Sequence, residues 1–273
     1  MTQKTKVLNY LNNNEKVTIK QCSNDLNIVE PTIRRILGIG TKEGLFERLG
    51  PGIYQITIEG KNVLYLYEGD ALNILPQLID KGIKADNIFL DIPYDTPAVK
   101  GGNRGVKYPL MSLNQFKELL SYCNQLLKNN TSTITYMYSN ATSGLKKMQE
   151  YTDCFIDYGF IPLTKGDYYK IYPNGKPTTN MRGDLIKPEG VIIFSKSYQE
   201  YPQNLEWTCI RPKGYQTEKS HILIKDLIEL TTNEGDLIID PCAGSGVVGK
   251  EAVKINRKVI LIDKNIDYII NTI

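Results

Sequence analysis

An α/β fold on a doubly wound, mainly parallel sheet, preceded by a small helical module, is what this 273-residue sequence predicts. Three observations carry the prediction. From residue 60 onward, short apolar runs alternate with segments of helical period. Two of those runs stop at a carboxylate followed by a proline turn, Asp91-Ile92-Pro93 and Asp240-Pro241, and ligands of open α/β sheets bind outside such carboxyl ends. Residues 1–58, in contrast, read as three short helices and a hairpin.

The helical module comes first. Residues 4–14 carry Val7, Leu8 and Leu11 at helical spacing, and 19–26 carry Ile19, Cys22 and Leu26. Residues 31–38 open at Pro31, which suits the first turn of a helix, and turn Ile33, Ile36 and Leu37 inward. "LFERLGPGIYQIT" alternates around Gly-Pro-Gly and predicts two paired strands. Three helices and a hairpin resemble a winged helix-turn-helix domain over 1–58. That likeness implies a segment from Pro31 in the major groove, with Thr32, Arg34 and Arg35 as base readers or phosphate contacts. A helical interaction module that never meets nucleic acid is the alternative.

The second domain, 59–273, is expected to run through strands at 63–67, 88–90, 134–138, 191–195, 237–240 and 259–263, with helices at 71–80, 113–128, 221–231 and 246–256. Ser112 and Gln115 form a capping box ahead of an apolar face of Leu113, Phe116, Leu119, Leu120, Cys123, Leu126 and Leu127. Residues 160–190, rich in Gly, Pro, Lys and Tyr, are the least regular stretch.

Composition excludes several chemistries. The five cysteines are scattered and never in a CxxC spacing, which argues against a disulfide framework and a zinc site and suits a reducing cytoplasm. One histidine, His221, leaves little room for imidazole catalysis or a His-ligated metal, so no metal is expected. No apolar run approaches the roughly 18 residues of a membrane span, and the start MTQKTK lacks a signal peptide's apolar region. Residues 1–58 hold eight Lys or Arg against five Asp or Glu, while the rest is balanced at 25 of each, so the basic excess and any acidic partner belong to the N-terminal part.

"LIIDPCAGSGVVGKEAV" passes from a buried strand through glycines into a helix, a turn that lets a ligand approach the backbone at a helix N-terminus. Gly244, Gly246 and Gly249 satisfy GxGxxG, and Asp263 ends the next strand with a carboxylate suited to ribose hydroxyls. Only 24 residues follow Gly249, too few for the second half of a dinucleotide domain, so a single adenosine-type cofactor fits better.

"DPCAGSG" resembles the S-adenosylmethionine loop of amino-methyltransferases, DPFxGSGT, and "DIPY" resembles their catalytic DPPY. "YEGDAL", "KYPLMSL" and "GYQTEKSHILIKDLI" extend the likeness across most of 60–273, the "KYPLMSL" stretch being similar to that of MT-A70-like members. With the catalytic motif first and the cofactor loop last, the order is that of the β group of DNA amino-methyltransferases. Ile92 stands for the first proline, Cys242 for phenylalanine, Val247 for threonine, and Ser220 for the proline after Lys219.

The resemblance implies a Rossmann-like methyltransferase fold, S-adenosylmethionine as cofactor and methylation of adenine N6 in DNA, which is expected to be double-stranded. It assigns Asp91, the Ile92 carbonyl, Pro93 and Tyr94 to the flipped base. Asp70, Asp240, Pro241, Cys242, Gly244, Ser245, Gly246 and Asp263, with Lys219 and Ser220, fall to the cofactor. Asp91 is thereby expected to stand beside the methyl donor's pocket. The basic loop "PAVKGGNRGVKYP" offers Lys100, Arg104 and Lys107 to phosphates. Within 150–215, Tyr169, Lys170, Lys176 and Arg182 are further target contacts. Methylation of cytosine N4 or of RNA, or a DNA-binding regulator on a methyltransferase fold, are the rival readings. A homodimer and a restriction-nuclease partner are compatible with the sequence.

Overall fold

The computed structural model describes residues 6–7, 10, 16–29, 32–33, 44–50, 53–58, 61–92, 111–139, 142–179, 183–212 and 218–270, with backbone alone for 16–17, 19, 44–50, 53–58, 61–63, 142–147 and 270. In chain order the elements are β1 (Lys16–Thr18), α1 (Ile19–Leu26), β2 (Gly44–Gly50), β3 (Ile53–Ile58), β4 (Lys61–Glu68), α2 (Ala71–Asp80), β5 (Asn87–Leu90), α3 (Leu113–Leu126) and β6 (Thr133–Ser139). Then follow α4 (Thr142–Asp157), β7 (Ile161–Ile171), β8 (Glu189–Ser195), β9 (Leu205–Ile210), α5 (His221–Thr231), β10 (Leu237–Asp240), α6 (Val247–Lys254), β11 (Lys258–Asp263) and α7 (Asp267–Ile270). They divide into two compact units, 1–74 with 233–273, and 75–232.

In the first unit the strand order is β1-β2-β3-β4-β11-β10. β4, β11 and β10 are parallel neighbours, whereas β1 to β4 pair antiparallel, so the hairpin of the N-terminal part continues the sheet through β3 and β4. α6 packs on β11 and β4 so closely that a Cβ on Gly249 would lie 2.6 Å from a Leu261 methyl and 3.2 Å from one of Leu64. Thr18 and Gln21 form a capping box that starts α1, and Asn27 in the left-handed conformation ends it. Val7, Cys22 and Ile33 are buried as their spacing predicts, while Arg34 and Arg35 lie outside the described residues.

In the second unit the order is β5-β6-β8-β7-β9. β5–β6 and β7–β9 are parallel, while β8 runs antiparallel to both β6 and β7. The sheet is therefore mixed, and this corrects the expectation of a mainly parallel one. The reason lies in 158–210, where β7 and β8 meet directly without a crossover helix and β9 follows as a strand of its own. The Ser112–Gln115 capping box starts α3 as expected, but Leu113 is exposed and does not join the apolar face. Phe116 stacks on Tyr151 of α4, with centroids 4.0 Å apart, and Phe155 stacks on Phe194 of β8 at 4.1 Å, clamping both helices to the sheet. The buried Asn87 amide donates to the hydroxyls of Thr133 and Thr135 and ties β5 to β6. Among the described residues no helix is long and apolar enough to cross a membrane.

Candidate active site

β5 is buried along its whole length and ends at Leu90, which puts Asp91 at its carboxyl end with the Ile92 side chain buried behind it. The Asp91 carboxylate receives Lys219 through Oδ2, at 2.7 Å; Oδ1 has no partner among the described residues. The same ammonium lies 3.4 Å from Oε2 of Glu189, whose other oxygen accepts from Lys170. Lys170 in turn sits over the Tyr168 ring, 5.4 Å from its centroid.

Local structure explains this meeting. Glu189 opens β8 opposite both Ser139 of β6 and Tyr168 of β7, and opposed residues of an antiparallel pair share a face. Lys170, two residues beyond Tyr168, stands on that same face. Lys219 precedes Ser220, the N-cap of α5, and is only 4% exposed. His221 opens α5 and is about half exposed.

Burial pushes the Asp91 carboxyl above the usual Asp value of 3.8, and Lys219 works against that rise. Burial also opposes ionisation of Glu189, but Lys219 and Lys170 outweigh it and hold that carboxyl down at about 2. Burial lowers the Lys170 ammonium, with Glu189 resisting.

In the first unit three carboxylates gather at the carboxyl ends of the parallel strands β4, β11 and β10, namely Asp70, Asp263 and Asp240. Asp240 is buried and accepts the Cys242 amide at 3.1 Å. Asp263 accepts the Gly244 amide through one oxygen, at 2.8 Å, and the Asn265 amide through the other, at 2.9 Å. It thus clasps the glycine loop to the end of β11 and keeps further acceptor sites, since a carboxylate offers about four. Asp70 accepts from the Leu72 amide at 3.0 Å and pairs with Lys264 at 2.8 Å; that lysine's hydrogen bond holds its carboxyl below the usual value.

Between Asp240 and α6 the chain turns in the left-handed region at Gly244, φ 51°, and Gly246, φ 72°. A Cβ on Gly246 would lie 2.8 Å from a methyl of Ile269. Pro241 and Ser245 are buried, and Cys242 is half-buried and in no disulfide. Acceptor carboxylates beside a glycine-bearing turn suit an adenosine-type ligand whose ribose hydroxyls need acceptors.

The residues predicted from the sequence thus fall into two groups, the carboxylates and glycines around 240–246 in the first unit and Asp91, Ile92, Lys219 and Ser220 in the second. Lys219, expected at the cofactor, has its ammonium beside Asp91 and Glu189. Lys170, expected at the target, is committed to Glu189. Thr32 is helical, and its amide donates to the Val29 carbonyl. Pro93, Tyr94, Lys100, Arg104, Lys107 and Arg182 lie outside the described residues. Glu189 escaped the sequence reading; a carboxylate directly ahead of the apolar run "GVIIFS" was the available signal.

A family model described as "DNA methylase", of the N6/N4 type, matches residues 193–272. The chain is 39% identical over 254 residues to the DNA adenine methyltransferase YhdJ of Escherichia coli (strain K12), covering 77% of this chain and 81% of that protein. It is 24% identical over 234 residues to the type II methyltransferase M.HpaI of Haemophilus parainfluenzae, covering 73% and 70%. Among solved structures, M1.HpyAVI in complex with SAM aligns with a TM-score of 0.56 at 20% identity, over 77% of this chain and 97% of the other. The PvuII DNA methyltransferase, cytosine-N4-specific, aligns with a TM-score of 0.56 at 15% identity, over 77% and 86%. These likenesses give the fold.

Proposed function

The chain belongs to the N6/N4 DNA methylase family, and from that premise we propose that it methylates the N6 amine of adenine in double-stranded DNA after flipping the base. DNA is the substrate and S-adenosylmethionine the donor. The observation that carries the reading is Asp91 at the end of β5 with Oδ2 held by Lys219, while Oδ1 has no partner among the described residues and is the oxygen proposed to accept. The likeness to a relative named as an adenine methyltransferase supports adenine over cytosine.

An exocyclic adenine amine is a weak nucleophile because its lone pair is delocalised into the ring. Two acceptors turn its N–H groups so that the nitrogen faces the incoming methyl, and Asp91 Oδ1 and the Ile92 carbonyl fill those roles. Ile92 precedes Pro93, which biases it to an extended backbone, and its side chain is buried, so its carbonyl is anchored without a proline ring. Tyr94 stacks on the flipped base and replaces the stacking lost from the duplex.

The donor supplies an electrophilic methyl group on a sulfonium. Asp70, Asp240 and Asp263, with Pro241, Cys242, Gly244, Ser245 and Gly246, hold it, and Ser220 contributes. Lys100, Arg104 and Lys107 contact phosphates. Residues 1–58 form a winged helix-turn-helix domain that adds DNA contacts through Thr32, Arg34 and Arg35. The likeness to a type II methyltransferase supports a place in restriction and modification, with a nuclease as partner.

The test is to incubate the protein with duplex DNA and labelled S-adenosylmethionine and digest the DNA to nucleosides. Label in N6-methyldeoxyadenosine that vanishes in Asp91→Ala is the expected result. Label in N4-methyldeoxycytidine, or none, overturns it.

A further inference from the structure

We propose that Lys219 and Glu189 are positioning residues for Asp91: the lysine pins one carboxylate oxygen and turns the other outward, and the glutamate, tied to Lys170, holds the lysine. The inference rests on the acceptor role of Asp91 and deepens it. It also moves Lys219 away from cofactor binding.

Three observations support it. Asp91, Lys219, Glu189 and Lys170 form an array of two carboxylates and two ammoniums, so its fully charged state is neutral and each charge has an opposite neighbour. Their order is linear: Lys219 bridges Asp91 and Glu189, and Glu189 bridges Lys219 and Lys170. Lys219 is buried in the middle of the array, whereas the Asp91 side chain is 28% exposed, so the lysine is held inside the protein while the carboxylate proposed to meet the base stays accessible.

Chemistry gives the array a purpose. A buried carboxylate without a cation takes up a proton, and a protonated oxygen can donate where the amine needs an acceptor. A lone lysine on a flexible stem would pair with Asp91 in several geometries; a second carboxylate on β8 limits it to one. Among the described residues, the charged groups facing Asp91 are Lys219, Glu189 and Lys170, with the Tyr136 phenol of β6 as the neutral titratable neighbour.

The experiment is a carboxylate ¹³C NMR titration of the full chain without donor, the Asp91 signal being assigned through Asp91→Asn, combined with steady-state methylation kinetics. Lys219→Met should raise the Asp91 midpoint by about 1–3 pH units, the scale of losing an adjacent cation. Lys170→Met should raise it by less, and keeps the test open if Lys219→Met does not fold. Glu189→Gln should lower it, because the Glu189 charge favours protonation of Asp91.

In kinetics, Lys219→Met and Glu189→Gln should each lose about 10- to 100-fold in kcat, the cost of a small misalignment, with KM for the donor within about twofold. Lys219→Arg should recover part of that loss. An Asp91 midpoint unmoved by Lys219→Met or Lys170→Met in folded protein overturns the proposal. So does a Lys219→Met protein with kcat intact and donor KM raised tenfold or more, which would make the lysine a donor ligand. Midpoints that move as stated in a protein that methylates no base uphold the array and refute the acceptor role of Asp91, so the two failures are distinguishable.

Discussion

Lys219 Nζ stands 2.7 Å from Asp91 Oδ2 and 3.4 Å from Glu189 Oε2, joining two carboxylates that lie 98 residues apart. One of the two ionises less readily than usual and the other more readily, because burial dominates at Asp91 and the two lysines dominate at Glu189. That divergence has consequences for both activity and stability.

For activity, Asp91 must be ionised to accept from the amine. Its raised pKa means that kcat/KM falls as pH drops through a value above the ordinary 3.8. A pH–rate profile with saturating donor checks this, and Glu189→Gln should move the acidic limb to lower pH.

For stability, the sign at Glu189 is that of a depressed carboxylate. Its contribution is fully present above the unfolded value of 4.5 and is lost as pH falls through the folded value of about 2. Glu189→Gln leaves the buried Lys219 ammonium and the half-buried Lys170 ammonium short of a counter-charge and should cost about 3 kcal/mol at neutral pH. Urea unfolding of wild type and variant should show that difference at pH 7 and a smaller one near pH 3.

The glycine turn gives a separate expectation. Gly246 combines φ 72° with a contact that would bring a Cβ to 2.8 Å from Ile269, so alanine there must move the loop. The left-handed penalty alone is about 1–2 kcal/mol. Calorimetric titration should show donor affinity reduced at least about tenfold in Gly246→Ala.

Gly190 supplies a test of packing. A Cβ there would lie 2.1 Å from the buried Tyr138 ring across the β6–β8 pair. Gly190→Ala should lose about 1–3 kcal/mol through overpacking. Combined with Tyr138→Ala, which removes the obstructing ring, the loss should be less than the sum of the two single changes.

The parts of this fold that are legible in the sequence are those whose signal is local. α5 at 221–231 and β10 at 237–240 have the bounds that period and turn residues predict, because Leu223, Ile224, Leu227 and Ile228 recur at helical spacing and Pro241 stops the strand. β7 escapes the same reading because Pro162 and Gly166 interrupt it; Gly166 is there because a Cβ would meet the Trp207 ring of β9 at 2.5 Å. That contact is made by pairing across about forty residues, which no window of sequence contains. α4, absent from the elements expected above, carries a local signal of its own, with Leu145, Met148, Tyr151, Cys154 and Phe155 at helical spacing. The same contrast holds at the site. Asp91 and the glycines announce themselves by their neighbours, whereas Glu189 and Lys170 join Asp91 only through the β6–β8–β7 pairing and the placement of Lys219 ahead of α5.

The central claim is that Asp91 accepts from the target amine while its other oxygen is held in place. The most direct measurement is single-turnover methylation of duplex DNA with saturating donor, comparing wild type with Asp91→Ala and identifying the product by mass spectrometry of nucleosides. The account predicts N6-methyldeoxyadenosine from the wild type and a rate at least about 100-fold lower in the variant, the scale of removing one hydrogen-bonding group at the reacting atom, with DNA and donor affinity retained. An unchanged rate in Asp91→Ala, or methylation of a different base, would contradict it.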